Sequence, residues 1–273
     1  MIDDSKNTKF HNELIIDQFT KQAIPFTQNA SHSAAQAADR LYQLNCVREN
    51  DNVLDVACGS GLVSCELAKI VEHVTGIDIT PAMLEQANLL KRQKNLFNIK
   101  YDIGDVSNLP YNDASFSLVV TRYSFHHFVD PYKVLSEMKR VCTAKGRIVV
   151  IDATPAAKSL DMYNYVEKLR DPSHTRAFTL VELEEMFKKA DLQVIETDFF
   201  RIERDLQGLL DSSFPNPGDI DKIRQLFAQD VQNNMLDLKS HYVGTEIHFS
   251  FPTSMIVAQK IPLSRNNHKH SEE

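Results

Sequence analysis

Asn52-Val53-Leu54-Asp55-Val56-Ala57-Cys58-Gly59-Ser60-Gly61-Leu62-Val63-Ser64 sets the architecture of the chain around it. Val53, Leu54 and Val56 read as a buried strand with Asp55 near its end. Gly59 and Gly61 make a turn too tight for side chains, and Leu62 to Ile70 reads as a helix. Strand, glycine turn and helix in this order open a nucleotide-binding α/β fold. Glycine lets backbone lie against a ligand, and the helix start offers free N–H groups.

The pattern is Gly59-x-Gly61-x-x-Ser64, so a serine stands where the dinucleotide fingerprint has its third glycine, and NAD is not the natural ligand. Asp55 points the same way. A carboxylate there repels a pyrophosphate but suits a loop that receives a cationic amino acid. S-adenosylmethionine has that need, with an ammonium, a sulfonium and no phosphate. Asp78 ends the next strand about 20 residues past the turn, where an acidic residue can accept both hydrogen bonds of a ribose diol.

Outward from this stretch, strands are expected at 52–56, 73–77, 99–103, 117–121, 146–151 and 192–197, with the last sheet segments at 246–251 and 254–258. Helices alternate with them through residue 151, which implies a parallel sheet covered on both faces. A first helix is expected from Phe10 to Ala23, ended by Pro25, then a loop from Phe26 to Ser33 and a second helix from Ala34 to Leu44. Thr179 with Glu182 three residues on is a capping box for a helix over 180–190. Pro215, Pro217 and Gly218 break the excursion from Asp205 to Val243, which carries a helix from Ile220 to about Leu238. Asp171 to Arg176 reads as a polar loop of the kind that faces a substrate.

The run Leu54 to Gly61 resembles motif I of the class I S-adenosylmethionine-dependent methyltransferases, in the branch of quinone-biosynthesis and other small-molecule enzymes. The loop Leu109-Pro110-Tyr111-Asn112-Asp113-Ala114-Ser115-Phe116 is similar to a second motif of that family, with Tyr111 and Ser117 as mild departures. Ala144-Lys145-Gly146 replaces the family's Pro-Gly-Gly before strand five. The resemblance runs to about Lys260 and implies a seven-stranded Rossmann-like α/β sheet of order 3-2-1-4-5-7-6, strand seven antiparallel, with helices on both faces and a helical lid. It implies S-adenosyl-L-methionine as cofactor, bound by Asp55, Ala57, Gly59, Gly61, Asp78, Ile79, Met83, Asp105, Val106, Thr121 and Arg122. Asp78 would take the ribose, Met83 the adenine edge, and Asp105 with the following N–H the adenine ring. Met83 is as readily a core methionine. One domain over 1–262 is expected: lid helices at 1–45, a cofactor half at 46–155, and a substrate half at 156–262 with an insertion at 205–243. A disordered tail is expected at 263–273. Gln18, Phe19, Phe26 and His32 are lid candidates for the site, and a plain surface helix pair is the alternative.

Methyl transfer asks the protein for positioning and, when the acceptor is a hydroxyl or phenol, for a base. His126 and His127, just past strand four, are the candidates, since imidazole titrates near neutrality. Adjacent side chains diverge, so one of the pair is expected only to pack. His174 and Arg176 come next, the arginine as a bidentate holder of a carboxylate or phenolate. Phe26, Tyr123 and Phe125 are candidates to line an aromatic acceptor, or to pack in the core.

A net charge of −7 argues against a nucleic-acid partner. The four cysteines form no Cys-x-x-Cys pair, and no tight His/Asp/Glu cluster suggests a metal. No apolar run approaches a membrane span, so a cytoplasmic monomer or homodimer acting on a small-molecule acceptor is expected. The competing readings are a catalytically silent S-adenosylmethionine-binding protein, a NAD-dependent oxidoreductase, and an enzyme with a macromolecular substrate.

Overall fold

The structure is a computed structural model that describes residues 4–29 and 31–261. The expected tail at 263–273 and the side chain of His32 lie outside the described residues.

The chain begins with α1 (Asp4–Asn29) and α2 (Ser31–Gln43), then alternates β1 (Asn52–Val56), α3 (Leu62–Leu67), β2 (His73–Asp78), α4 (Pro81–Gln93) and β3 (Ile99–Ile103). It continues with β4 (Phe116–Arg122), α5 (Pro131–Val141), β5 (Cys142–Ala153), α6 (Leu160–Arg170), α7 (Leu180–Lys189) and β6 (Leu192–Asp205). It closes with α8 (Leu206–Asp211), α9 (Asp219–Asn233), β7 (His241–Val243) and β8 (Glu246–Lys260). The sheet order is β3-β2-β1-β4-β5-β8-β6, with β7 added to β8 as a short hairpin. β1 to β5 pair in parallel, and β8 runs antiparallel to both β5 and β6. This is the expected order, with β8 as its antiparallel seventh strand.

Period-two alternation sorts the strand residues to two cores. Val53, Val74, Leu118, Val120 and Val149 face one side, against α2 and α3. Leu54, Val56, Ile77, Val119 and Ile148 face the other, against Leu135 and Met138 of α5 and Phe187 of α7. A third cluster joins α6, α8 and α9 to Phe249 of β8. The central strands are buried on both faces, as parallel strands are.

Several boundaries differ from the expectations. α1 does not end at Pro25 but carries it and runs on to Asn29, through most of the expected loop. A proline removes one ladder bond at a cost of about 3 kcal/mol; here the flanking Gln22 and Ala23 are buried and Phe26 packs on the core, so tertiary contacts hold the turn. β8 is continuous where two segments were expected. Pro252 interrupts nothing, because its carbonyl accepts from Thr154 N (2.8 Å), which places its missing N–H on the side where β5 has ended. α3 stops at Leu67 and α9 at Asn233, whereas β5 and β6 extend beyond their predicted ends. No described helix is long and apolar enough to cross a membrane.

Candidate functional site

A cavity of about 990 Å³ lies at the carboxyl ends of β1, β2 and β4, where the strand order reverses direction, with α1 across it. Two strained residues mark the place. Ala57 (φ 54°) and Tyr123 (φ 50°) follow adjacent central strands in the left-handed region, and both line the cavity. Such strain costs about 1 kcal/mol or more and clusters at ligand sites.

The two turn glycines have different jobs. Gly59 (φ +53°) borders the cavity, and a Cβ there would meet nothing within 4 Å, so the backbone is bare toward a ligand. Gly61 (φ +72°) does not line the cavity. A Cβ at Gly61 would sit 2.8 Å from Cζ of Tyr101 and 2.9 Å from Cβ of Ala87, so this glycine exists to seat α3 against β3 and α4. The structure places Gly61 at this packing contact and not on the cavity wall.

Three carboxylates ring the turn. Asp78 accepts the Gly59 N–H and the Thr80 N–H, each at 2.8 Å, and so fixes the loop around the bare backbone. Burial raises its pKa. An ionised carboxylate has about four lone-pair sites, so acceptor capacity remains for a diol. Asp105 accepts Ser107 N–H (2.8 Å) and the side-chain amide of Asn12 on α1 (2.9 Å). Asp55 accepts the hydroxyl of Ser64 at 2.5 Å, and burial pushes its pKa up to about 7. Ser64, which broke the dinucleotide pattern, is therefore the donor that orients Asp55. Ile79, Met83, Val106 and Arg122 line the same cavity. Thr121 does not: its buried hydroxyl donates to the Val56 carbonyl (2.7 Å) and pairs with Ser124 (2.5 Å), tying β4 to β1.

A smaller inner cavity of about 120 Å³ shares Phe19, Phe26, Arg122, Tyr123 and His127 as walls with the first. His126 borders it. Its Nδ1–H donates to Asp152 Oδ1 at 2.6 Å, and Nε2 has no hydrogen bond among the described residues. Burial alone would lower the His126 pKa, but the Asp152 carboxylate outweighs it and the net direction is upward. His127 shows the opposite balance. Burial, reinforced by His126, lowers its pKa to about 3, so the ring is neutral, with Nδ1–H donating to the Ser173 carbonyl at 3.2 Å. Phe19 meets it edge-on at 5.0 Å.

Three expected acceptor contacts are corrected. Phe125 is fully buried in the core beside α5, and its N–H donates to Asp152 Oδ2 (2.9 Å). The loop 171–176 folds inward: Asp171, Ser173 and His174 are buried, and of these Asp171 borders the inner cavity. His174 borders neither cavity and bonds Asn164 Oδ1 through Nε2 at 2.8 Å, with burial lowering its pKa. Arg176 is exposed, pairs with the capping glutamate Glu182 and stacks on Phe178. Glu182 sits at the start of α7, six residues on, and captures the guanidinium before any ligand does. Phe26 and Tyr123 do line both cavities, and the Tyr123 hydroxyl bonds Thr253 Oγ1 at 2.6 Å.

Residues the sequence did not single out complete the site. Asp152 orients His126; its place at the end of strand five was the available signal. From α1 come Asn12 and His11, whose Nε2–H donates to the His127 carbonyl at 2.8 Å. From α6 and β6 come Tyr163, Glu167, Arg170 and Arg204, all on the inner cavity. Glu167 and Arg170 have the spacing of an ordinary helix-surface pair. Among the described residues no group of His, Cys, Asp and Glu is placed to hold a metal ion.

Comparison with known proteins agrees with this arrangement. A family model described as "Methyltransferase domain" matches residues 48–207. YcgJ of Bacillus subtilis, an uncharacterised methyltransferase, is 34% identical over 147 residues, 53% of this chain and 58% of its own length. Its crystal structure superposes with a TM-score of 0.70 at 26% identity, covering 84% of this chain and 98% of that one. A demethylmenaquinone methyltransferase of Deinococcus radiodurans is 40% identical over 110 residues, 40% of this chain and 45% of its own length. The matches thus span about half the length of these curated relatives. A geranyl diphosphate methyltransferase structure in complex with SAM shares the fold, at 16% identity and TM-score 0.58 over 83% of this chain and 85% of that one. The family model covers more than half of the sequence, on the strands and turn that build the larger cavity, and the chain belongs to the class I S-adenosylmethionine-dependent methyltransferases.

Proposed function

We propose that this protein transfers a methyl group from S-adenosylmethionine to an oxygen or carbon of a small hydroxylated aromatic or quinol-like molecule, with His126 as the base. The observation that carries the reading is the buried His126–Asp152 pair, whose histidine borders the inner cavity that shares walls with the larger one.

The residues of the larger cavity fit the cofactor. Three carboxylates surround a bare glycine backbone, which suits a ligand with a cationic amino acid and a ribose and no phosphate. Asp78 would hold the ribose, Asp105 and Val106 the adenine, and Asp55 the side of the site that receives the amino acid. Bound there, S-adenosylmethionine supplies an electrophilic methyl carbon and leaves as a neutral thioether. His126 takes the acceptor's hydroxyl proton on Nε2, and Asp152 holds the ring and stabilises the imidazolium. His127 stays neutral and offers an acceptor atom without competing for that proton. Phe19, Phe26 and Tyr123 supply flat walls and exclude water. The demethylmenaquinone methyltransferase among the relatives is named for a quinone acceptor, which supports a quinol-like acceptor here.

The test is calorimetry with S-adenosylhomocysteine and with NAD, followed by transfer of a labelled methyl group to a panel of phenols, catechols and quinols. Binding of S-adenosylhomocysteine and labelling of a panel member are expected. NAD binding without a response to S-adenosylhomocysteine sinks the cofactor assignment. Labelling of purified RNA or protein with the whole panel ignored sinks the acceptor assignment.

A further inference from the structure

The inner cavity holds more positive charge than His126 chemistry needs. Arg122, Arg170 and Arg204 all border it, from β4, α6 and β6. The carboxylates that border it are Glu167 and Asp171. Arg170 is spoken for: it forks onto Glu167 (Nη2–Oε2 2.6 Å, Nε–Oε1 3.1 Å) and reaches Ser213 at 3.2 Å. Asp171 accepts from Ser173 Oγ (2.6 Å) and from Gln22 on α1 (3.1 Å). His126 is balanced by Asp152, and His127 is neutral. Arg122 also borders the larger cavity, where it faces Asp55, and Arg170 is paired with Glu167, which leaves Arg204 as the guanidinium here with no ion pair among the described residues.

The Arg204 guanidinium makes no hydrogen bond or salt bridge among the described residues. Its neighbour in sequence, Asp205, caps α8 by accepting Gly208 N–H at 2.6 Å and acts on Arg204 only through space, without a hydrogen bond or ion pair. Burial lowers the Arg204 pKa and the nearby Arg170 adds to the effect. A half-buried, unpaired fork donor is costly unless something supplies the anion. A second observation agrees. Tyr163 is 2% exposed and borders the same cavity, and its hydroxyl makes no hydrogen bond among the described residues. An unpartnered buried donor aimed at a cavity is the mark of a ligand position.

We propose that the inner cavity is an anion subsite in which Arg204 and Tyr163 hold a carboxylate of the acceptor, so that the substrate is a hydroxylated aromatic acid and not a neutral quinol. This deepens the methyl-transfer reading and rests on it for the role of the larger cavity. The size agrees: about 120 Å³ takes a ring or its acid group, not a whole cofactor. The charge selects among anions. A single carboxylate neutralises the Arg204 charge, whereas a phosphate dianion would leave a negative charge facing Glu167 and Asp171. Anchored there, the acceptor lies against His126 on one side and opens toward the larger cavity past Tyr123 and Phe26 on the other.

The experiment is calorimetry with benzoate, benzamide and phenylphosphonate, on the protein alone and with saturating S-adenosylhomocysteine. Benzoate is expected to bind more tightly than its neutral isostere benzamide by about tenfold or more, the scale of a charge-assisted pair. Arg204→Met removes that preference without changing S-adenosylhomocysteine affinity, and Arg204→Lys restores part of it. Equal binding of benzoate and benzamide to the wild-type protein overturns the proposal, and this comparison needs no variant to fold. So does an unchanged preference in Arg204→Met. Tighter binding of phenylphosphonate than benzoate overturns the carboxylate assignment. Failure of S-adenosylhomocysteine to bind strikes instead at the methyl-transfer reading, and the benzoate preference measured on the protein alone separates the two failures.

Discussion

Replacing Asp152 by asparagine separates a catalytic histidine from a merely buried one. The carboxylate accepts His126 Nδ1–H at 2.6 Å, Phe125 N–H at 2.9 Å and Ala153 N–H at 2.7 Å. Asparagine keeps the shape and one acceptor oxygen but loses the charge. A hydrogen bond to a buried charged group contributes about 1.5–3 kcal/mol. Its loss removes the attraction that holds the His126 pKa up, so that pKa falls. The wild-type histidine is expected to titrate above its usual 6.5, and the variant lower than the wild type. The sign for activity follows: the base must be neutral, so turnover rises with pH through the His126 pKa, and in Asp152→Asn that limb moves to lower pH. The plateau falls by roughly 10²-fold as the ring loses its orienting partner. One backbone N–H is also left without an acceptor, so the variant is less stable by about 1–3 kcal/mol. The assay is histidine NMR titration of both proteins, which needs no acceptor, with denaturant unfolding as the control. A His126 titration that does not move in the folded variant refutes the claim that Asp152 sets its basicity.

Asp78→Ala is expected to weaken S-adenosylhomocysteine binding by about 1.5–3 kcal/mol, since it removes a charged acceptor and releases the Gly59 and Thr80 N–H groups that shape the turn; unchanged affinity by calorimetry places the ribose elsewhere. Asp55, with its pKa near 7, must ionise to favour a cation, so S-adenosylmethionine binding at pH 6 releases a proton and tightens toward pH 7. Calorimetry in two buffers of different ionisation enthalpy reads the proton, and its absence removes Asp55 from the binding equilibrium. Gly61→Ala is expected to cost about 2–5 kcal/mol of stability, from left-handed strain plus overpacking against Tyr101 and Ala87, and Gly59→Ala only about 1–2 from strain alone. A reversed order in urea midpoints contradicts the division of labour between the two glycines.

Why some of this was legible before the structure and some was not has a physical basis. The strand order followed from local signals, because each parallel strand is a short apolar run bounded by turn residues, and the glycine turn with Asp78 and Asp105 is a set of strand ends. Pro25 misled because its penalty is local while the packing of Phe26 that overrides it is not. Thr121 and Phe125 were placed at the ligand by proximity in sequence, yet Thr121 turns its hydroxyl to Val56 and Phe125 turns its ring to the α5 side. Arg176 had the right chemistry and the wrong address. Arg204, on the inner cavity, lies on a strand near the sheet edge, far in sequence from every motif. Only the antiparallel return of β8, which pairs Arg204 with Phe249, brings that strand end to the cavity.

The same remoteness explains why α1 matters more than a cover. Asn12 and Gln22 are about 15 Å apart along one helix, and they hold opposite sides of the site. Asn12 donates to Asp105 beside the turn, and Gln22 donates to Asp171 at the inner cavity. Asp171 in turn holds the hydroxyl and N–H of Ser173, and the Ser173 carbonyl accepts the His127 ring. His11 adds a bond to the His127 carbonyl, and Gln18 one to the Phe214 carbonyl. A ligand that takes up Asp105 therefore competes with, or joins, a contact at one end of a rigid rod. The other end fixes the network that orients the His127 ring beside the inner cavity. The larger and the inner cavity are thus joined by one helix as well as by the shared walls at Phe19, Phe26 and Tyr123.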